Sequence, residues 1–201
     1  MDDLPLAWRL VTINTLGSWL HGDPRGFRSR DHRIHSSGEY RNHPPKGEHA
    51  GLYTYQRERS SPKLTIDRVL RPLIGQALVD HLLDDHWLVL STSVSSDHAH
   101  LLVMLPDTPR FVRAVVGEAK RVASRAVKRQ LPGTVWSAGC DAERVRDSQH
   151  LWNAYRYVLT RQGADSWTWS YEDSLERLEF LLRGIRGGAG ALPRRGGWGD
   201  V

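Results

Sequence analysis

Cysteine is almost missing from this chain. Cys140 stands alone among 201 residues, so neither an intramolecular disulfide nor a cysteine-built zinc site is possible, which fits a reducing cytoplasm. The opening "MDDLPLAWRL" is acidic and has neither the basic start nor the apolar stretch of a secretory signal. No apolar run approaches the length that crosses a bilayer. These absences lead to an expectation of a soluble, cytoplasmic protein with no membrane partner. Acid is also the minority charge: 28 Lys+Arg face 23 Asp+Glu, a formal charge of +5 with a pI near 9.6, which favours polyanionic partners. The 8 tryptophans read mostly as core anchors, with base stacking as their other use.

The length suits one domain with an insertion rather than two domains. Residues 8–15, "WRLVTINT", read as a strand from their β-branched content. From Gly17 to about Lys63 glycine, proline, histidine and arginine crowd together without any period, predicting a long irregular insertion that faces a ligand or has no fixed shape. The run "TIDRVLRPLIGQALVDHLLDDH" predicts a helix with Thr65 as N-cap and Ile66, Val69, Leu70, Leu73, Ala77 and Leu78 on its apolar face. Pro72 is a kink or the true start of that helix. Residues 87–94 and 98–105 predict an antiparallel hairpin closed by "SSD". A helix follows over 108–131 with Val115, Ala119, Val122 and Ala126 as its stripe.

Next come a short strand within "VWSAGCDAERV", a helix over "SQHLWNAYRYVLTRQ" stopped by Gly163, and an amphipathic helix over "SYEDSLERLEFLLRGIR". The expected organisation is one domain over 1–186 and a glycine-rich, disordered tail over 187–201. Such an order of strands and helices predicts an α+β fold, helices packed on a small antiparallel sheet.

Three groups of residues point to chemistry. Alternation along a strand puts His98 and His100 on one face, where two neutral imidazoles can share a divalent cation and leave coordination positions open for a substrate phosphate. By itself H-x-H is more often a surface pair at a strand end. In the helix over 149–162, Leu151, Tyr155, Val158 and Gln162 follow the core stripe while Tyr157 lies off it, with Asn153 and Arg161 one turn to either side. A phenol backed by a guanidinium suits a tyrosine nucleophile and also describes an ordinary amphipathic surface tyrosine. Arg113, Arg121, Arg125 and Lys128, flanked by Lys120, form a basic ridge able to track a phosphate backbone. Within "HGDPRGF", Arg25 and Arg28 flank a tight turn and could hold a nucleic-acid strand. His32, His35, His43 and His49 are too irregularly spaced for a metal site and read as solvated loop residues.

Taken in order, "INTLGSWLHGDPRGF", "DHAHLLV" in a hairpin arm, a basic helix, "ERVRD" and "YRYV" in a helix resemble the single-tyrosine transposases of the HUH superfamily, especially their REP-associated relatives. The likeness runs from about Trp8 to Trp169. It implies a ferredoxin-like antiparallel sheet with helices packed on it, and a Mg²⁺ or Mn²⁺ ion on His98 and His100. It further implies Tyr157 attacking a phosphodiester of single-stranded or hairpin DNA to form a 5′-phosphotyrosine, so that strands are nicked and rejoined without ATP. A nucleoid-associated protein when bound to DNA is the corresponding location. The pattern places Asn or Gln four residues after the tyrosine as a third ligand, where this chain has Arg161. Gln162, one further on, reaches the metal only if the helix end unwinds near Gly163. Two alternatives stay open at this point, a hairpin-binding module without catalysis and a phosphoesterase that uses water. Whether Tyr157 serves its own protomer or the partner in a homodimer is open too.

Overall fold

The computed structural model describes residues 5–28, 33–40 and 42–171. The expected helix over 170–186 and the glycine-rich tail therefore fall, beyond Tyr171, outside the described residues. Five strands form one antiparallel sheet: β1 Leu6–Asn14, β2 Leu88–Val94, β3 His98–Pro106, β4 Asp141–Arg144 and β5 Trp167–Ser170, in the order β4-β1-β3-β2-β5. The helices are α1 Ala50–Arg59, α2 Arg71–Asp84, α3 Pro109–Ala126 and α4 Ser148–Thr160. Strands β4-β1-β3-β2 have the ferredoxin-like order, produced when the crossover through α2 leaves a gap beside β1 that β3 fills. The expected fold class, α+β with a ferredoxin-like antiparallel sheet, is the one observed.

β3 is central and covered on both sides, which is why it reads as an almost unbroken apolar run. Its odd residues Ala99, Leu101, Val103 and Leu105 enter the main core with Ile74, Leu78 and Leu82 of α2 and Val112, Val116, Ala119 and Ala123 of α3. Its even residues face the other way: Leu102 packs with Trp8, Leu90 and, from α4, Leu151 and Ala154. Each side chain on β3 is thereby assigned to one of two layers, and the two histidines belong to the α4 layer.

Several boundaries and faces differ from expectation. α2 begins at Arg71 with Pro72 in its first turn, a position that needs no amide proton. A single 3₁₀ turn over Arg68–Leu70 precedes it, and Asp67 rather than Thr65 caps that turn. Val69 and Leu73, expected in the core, are 73% and 48% exposed, because the late start rotates Ile74, Leu78 and Leu82 inward instead. The buried stripe of α3 is Val112, Val116, Ala119 and Ala123, leaving Ala126 exposed and Val115 and Val122 at the margin.

Two elements went unpredicted. β5 is a four-residue edge strand. α1 lies inside the stretch expected to be irregular, and its sequence has no buried face to announce it.

The insertion is held at its two ends. The Thr15 hydroxyl donates to the carbonyls of Leu64 (2.7 Å) and Asp97 (3.1 Å), and the Leu64 amide donates to the Leu16 carbonyl (2.8 Å). Gly17, at φ +71, lets the chain ends touch: a Cβ there would lie 2.7 Å from the Ser61 carbonyl oxygen. Its departure and return are thus both fastened to the turn that precedes His98. Among the described residues no helix is long and apolar enough to cross a membrane.

Candidate metal and tyrosine site

β2 and β3 turn through Ser96 and Asp97, with the Ser95 amide donating to the His98 carbonyl (2.8 Å). The two imidazoles start β3 at this end, their ring centroids 4.8 Å apart. α4 crosses the same face. It starts at Asp147, whose carboxylate accepts from the His150 amide (2.7 Å), and its last turn presents Tyr157. The Tyr157 ring packs edge-on against His100 at 5.3 Å between centroids, and the residue is 42% exposed, so a substrate can reach it. Tyr155 instead stacks on Trp152 (5.9 Å) among the apolar side chains of this layer.

α4 ends at Thr160, and Gly163 at φ +87 turns the chain back towards the sheet. That turn brings Gln162 to the histidines. Its Oε1 lies 3.0 Å from His98 Nε2, while its amide nitrogen donates to the Tyr157 carbonyl at 3.1 Å. The Gln162 carbonyl accepts from the hydroxyls of Ser95 (3.2 Å) and Ser166, tying the turn to β2.

Each imidazole has a hydrogen-bond partner at Nδ1. Asp97 Oδ1 lies 2.7 Å from His98 Nδ1, and Asp97 Oδ2 pairs with Lys63 at 2.6 Å. Burial works to raise the Asp97 pKa, but the Lys63 and His98 hydrogen bonds outweigh it and hold the carboxyl below its ordinary value. An ionised carboxylate only accepts, so His98 Nδ1 carries a proton. Thr12, paired with His100 across the β1–β3 register, shares a 3.0 Å hydrogen bond with His100 Nδ1. Desolvation, with a smaller push from His98, drives the His100 pKa down from 6.5 to about 4, against an opposing contribution from Gln162. At neutral pH His100 is an uncharged imidazole, the form that binds metals.

A cation fits the donor set. Gln162 Oε1 and His98 Nε2 face each other at 3.0 Å, the amide oxygen turned to the ring because the amide nitrogen is committed to the Tyr157 carbonyl. Such a pair requires a proton or a metal ion between its members. Two imidazoles and an amide oxygen suit a divalent ion with open positions. Among the described residues no group of three His, Cys, Asp or Glu offers a rival site.

The basic residues proposed from sequence lie elsewhere. Arg25 is folded back on Asp23 through two hydrogen bonds (2.9 and 2.7 Å) and on the Ser18 carbonyl, with its guanidinium 5.0 Å from the Trp19 ring centroid, so it braces its own turn. Arg28 donates to the carbonyls of Asn42 (2.7 Å) and Ser37 (2.9 Å) and stacks on Tyr40. α3 packs on the opposite layer from the imidazoles. There Lys120 donates to the Ser137 and Gly139 carbonyls (2.6 and 2.7 Å), its pKa lowered by burial, and Arg121 pairs with Glu118. Arg113, Arg125 and Lys128 are exposed, and their side chains make no hydrogen bond or ion pair among the described residues. Thr12, Lys63 and the second-layer role of Asp97 were not foreseen. The register of β1 against β3 identifies Thr12, and Asp97 adjoins His98 in sequence.

No family model matches the chain, and no curated protein does. Among solved structures, the chain is similar to a REP-associated tyrosine transposase bound to a REP hairpin, at 13% identity and a TM-score of 0.42, over 80% of this chain and 70% of that one.

Proposed function

We propose that the chain is a metal-dependent single-strand DNA endonuclease and strand transferase of the HUH single-tyrosine type. One observation supports this above others. His98, His100, Gln162 and Tyr157, from β3, the end of α4 and the turn after it, converge at one exposed end of the sheet.

In this reading His98, His100 and Gln162 hold a Mg²⁺ or Mn²⁺ ion, which when bound would polarise the scissile phosphate and neutralise charge developing on it. Asp97 and Thr12 keep the two rings oriented. The Tyr157 phenol oxygen bonds to phosphorus while the bond from phosphorus to the 3′-oxygen breaks. The phenolic proton passes to solvent and the leaving 3′-oxygen takes one up, giving a 5′-phosphotyrosine and a free 3′-hydroxyl. Reversal by another 3′-hydroxyl joins strands. Tyr157 packs on His100 of its own chain, which supports attack within one protomer over exchange with a homodimer partner. The substrate is single-stranded or hairpin DNA, with Arg113, Arg125 and Lys128 available for more distant phosphates.

The test mixes the full chain, Mn²⁺ and single-stranded or hairpin oligonucleotides and resolves products on denaturing gels. The expected result is a covalent protein–DNA adduct that Tyr157→Phe abolishes. Cleavage that survives Tyr157→Phe without an adduct would assign the chemistry to water instead. Salt-sensitive binding with neither adduct nor cleavage would make the chain a binding module.

A further inference from the structure

A groove of about 530 Å³ lies between the two ends of the insertion and α1, beside the imidazole pair rather than over it. Its walls include Arg25, Arg57, Lys63, Tyr53, Ser60 and Ser61. The acid that lines it, Asp23, is buried and has both oxygens on Arg25, so the groove is net positive. Arg57 is exposed and its side chain makes no hydrogen bond or ion pair among the described residues. Lys63 connects the groove to the site: its ammonium is on Asp97, and Asp97 is on His98.

Apolar surface makes up most of the lining, and Arg57 is the lining cation that no described residue engages, a combination that suits an anion carrying an organic group. The volume lies in the range of pockets that enclose an organic ligand and exceeds what a bare phosphate requires. Tyr53 and the prolines at the rim add apolar surface, which suits a sugar or base. The insertion ends that line the groove are fastened to the turn that carries His98, through Thr15 on the Asp97 carbonyl and Lys63 on the Asp97 carboxylate.

From this the structure assigns the groove as a binding subsite for one nucleotide of a single DNA strand, its phosphate on Arg57, next along the strand from the phosphodiester at His98 and His100. The assignment rests on the DNA-processing reading above. It adds a nucleotide subsite made by the insertion.

The experiment is a fluorescence-anisotropy titration of a short, labelled single-stranded oligodeoxynucleotide of mixed sequence with the full chain. EDTA is present throughout, so that binding is read without chemistry. Each phosphate contact on a single strand contributes about 0.7 to the slope of log K against log salt. Arg57→Ala is therefore expected to reduce that slope by about 0.7 and to weaken binding about fivefold at about 0.1 M salt. Arg59→Ala is the control, because Arg59 is on the same helix but stacks on Tyr55 and does not line the groove. It is expected to leave both quantities unchanged.

Equal effects of the two variants, or none from Arg57→Ala, would overturn the subsite, and so would a wild-type chain that binds no oligonucleotide. A covalent adduct in the presence of Mn²⁺ with no Arg57 effect sinks the subsite and leaves the enzyme. The Arg57 effect without any adduct does the reverse.

Discussion

Replacing Gly75 by alanine sets two effects of opposite sign against each other. Gly75 is buried in the middle of α2, where alanine is favoured over glycine by about 1 kcal/mol. A Cβ there, however, would lie 2.0 Å from two ring carbons of Trp167, against an ordinary carbon–carbon contact of about 3.5–4 Å. The indole must retreat by roughly 1.5 Å or α2 must lift off the sheet. The ring has little freedom, because Trp167 pairs with Val94 in β5 and packs against the main core. Overpacking of this kind costs up to about 3 kcal/mol, so Gly75→Ala is expected to destabilise the chain by a net amount of about 1–2 kcal/mol. Urea unfolding at neutral pH measures it.

A double-mutant cycle with Trp167→Leu tests the cause. Relief of the clash requires a coupling of about 1 kcal/mol or more. A Gly75→Ala chain as stable as wild type or more so, or an additive cycle, refutes the argument. The perturbation also reaches the site, since the turn holding Gln162 runs from α4 into Trp167. Weaker Mn²⁺ binding is therefore expected alongside the lost stability.

Two further outcomes follow from the second layer. The unfolded chain protonates His100 near pH 6.5 and the folded chain near pH 4, so between those values the unfolded state holds more protons and stability rises with pH. The contribution, about 3 kcal/mol, is present above the upper value and lost as pH falls to the lower one. Urea titrations across that window should show the slope in wild type and its loss in His100→Gln. Asp97→Asn is expected to weaken Mn²⁺ binding about 10- to 100-fold by loosening His98. Isothermal titration calorimetry checks it, and unchanged affinity would remove Asp97 from the second layer.

Where side chains repeat with a period, the sequence was legible. β2, β3 and α4 fall close to their expected bounds, because alternation or a 3.6-residue stripe had to be satisfied by burial, while α3 starts as expected but ends at Ala126, short of the expected 131. α1 has no such stripe. It is held by its approach to Gly22, where an added Cβ would meet the Tyr53 amide nitrogen at 2.7 Å, and no local pattern records that closeness. β5 is too short to show a period and exists by pairing with β2. Among the functional groups, the shared face of His98 and His100 follows from strand geometry alone. Gln162 follows only from the turn at Gly163, which a regular helix does not contain. The free or engaged state of a cation is a tertiary fact: Arg25 and Lys120 look in sequence like Arg113 and Arg125, yet the first two are spent on Asp23 and on backbone carbonyls.

The two faces of the sheet differ in what they are built for. On the α2 and α3 side the central strand presents only apolar groups, packed at essentially zero exposure. On the α4 side the same strand begins with two imidazoles, and its neighbour β2 adds Ser91 and Ser93 through their register with Leu102 and His100. Both serines are fully buried, and their hydroxyls have no hydrogen-bond partner among the described residues, at a cost of roughly 1–3 kcal/mol each. Valine at these positions would satisfy a strand in a packed layer better. Thr92, in register with Leu101 on the other face, is likewise buried with no partner for its hydroxyl among the described residues, so what sets the α4 face apart is the imidazole pair. Most of the apolar burial lies in the far layer, which leaves the α4 layer able to carry the polar groups gathered at His98, His100 and Gln162.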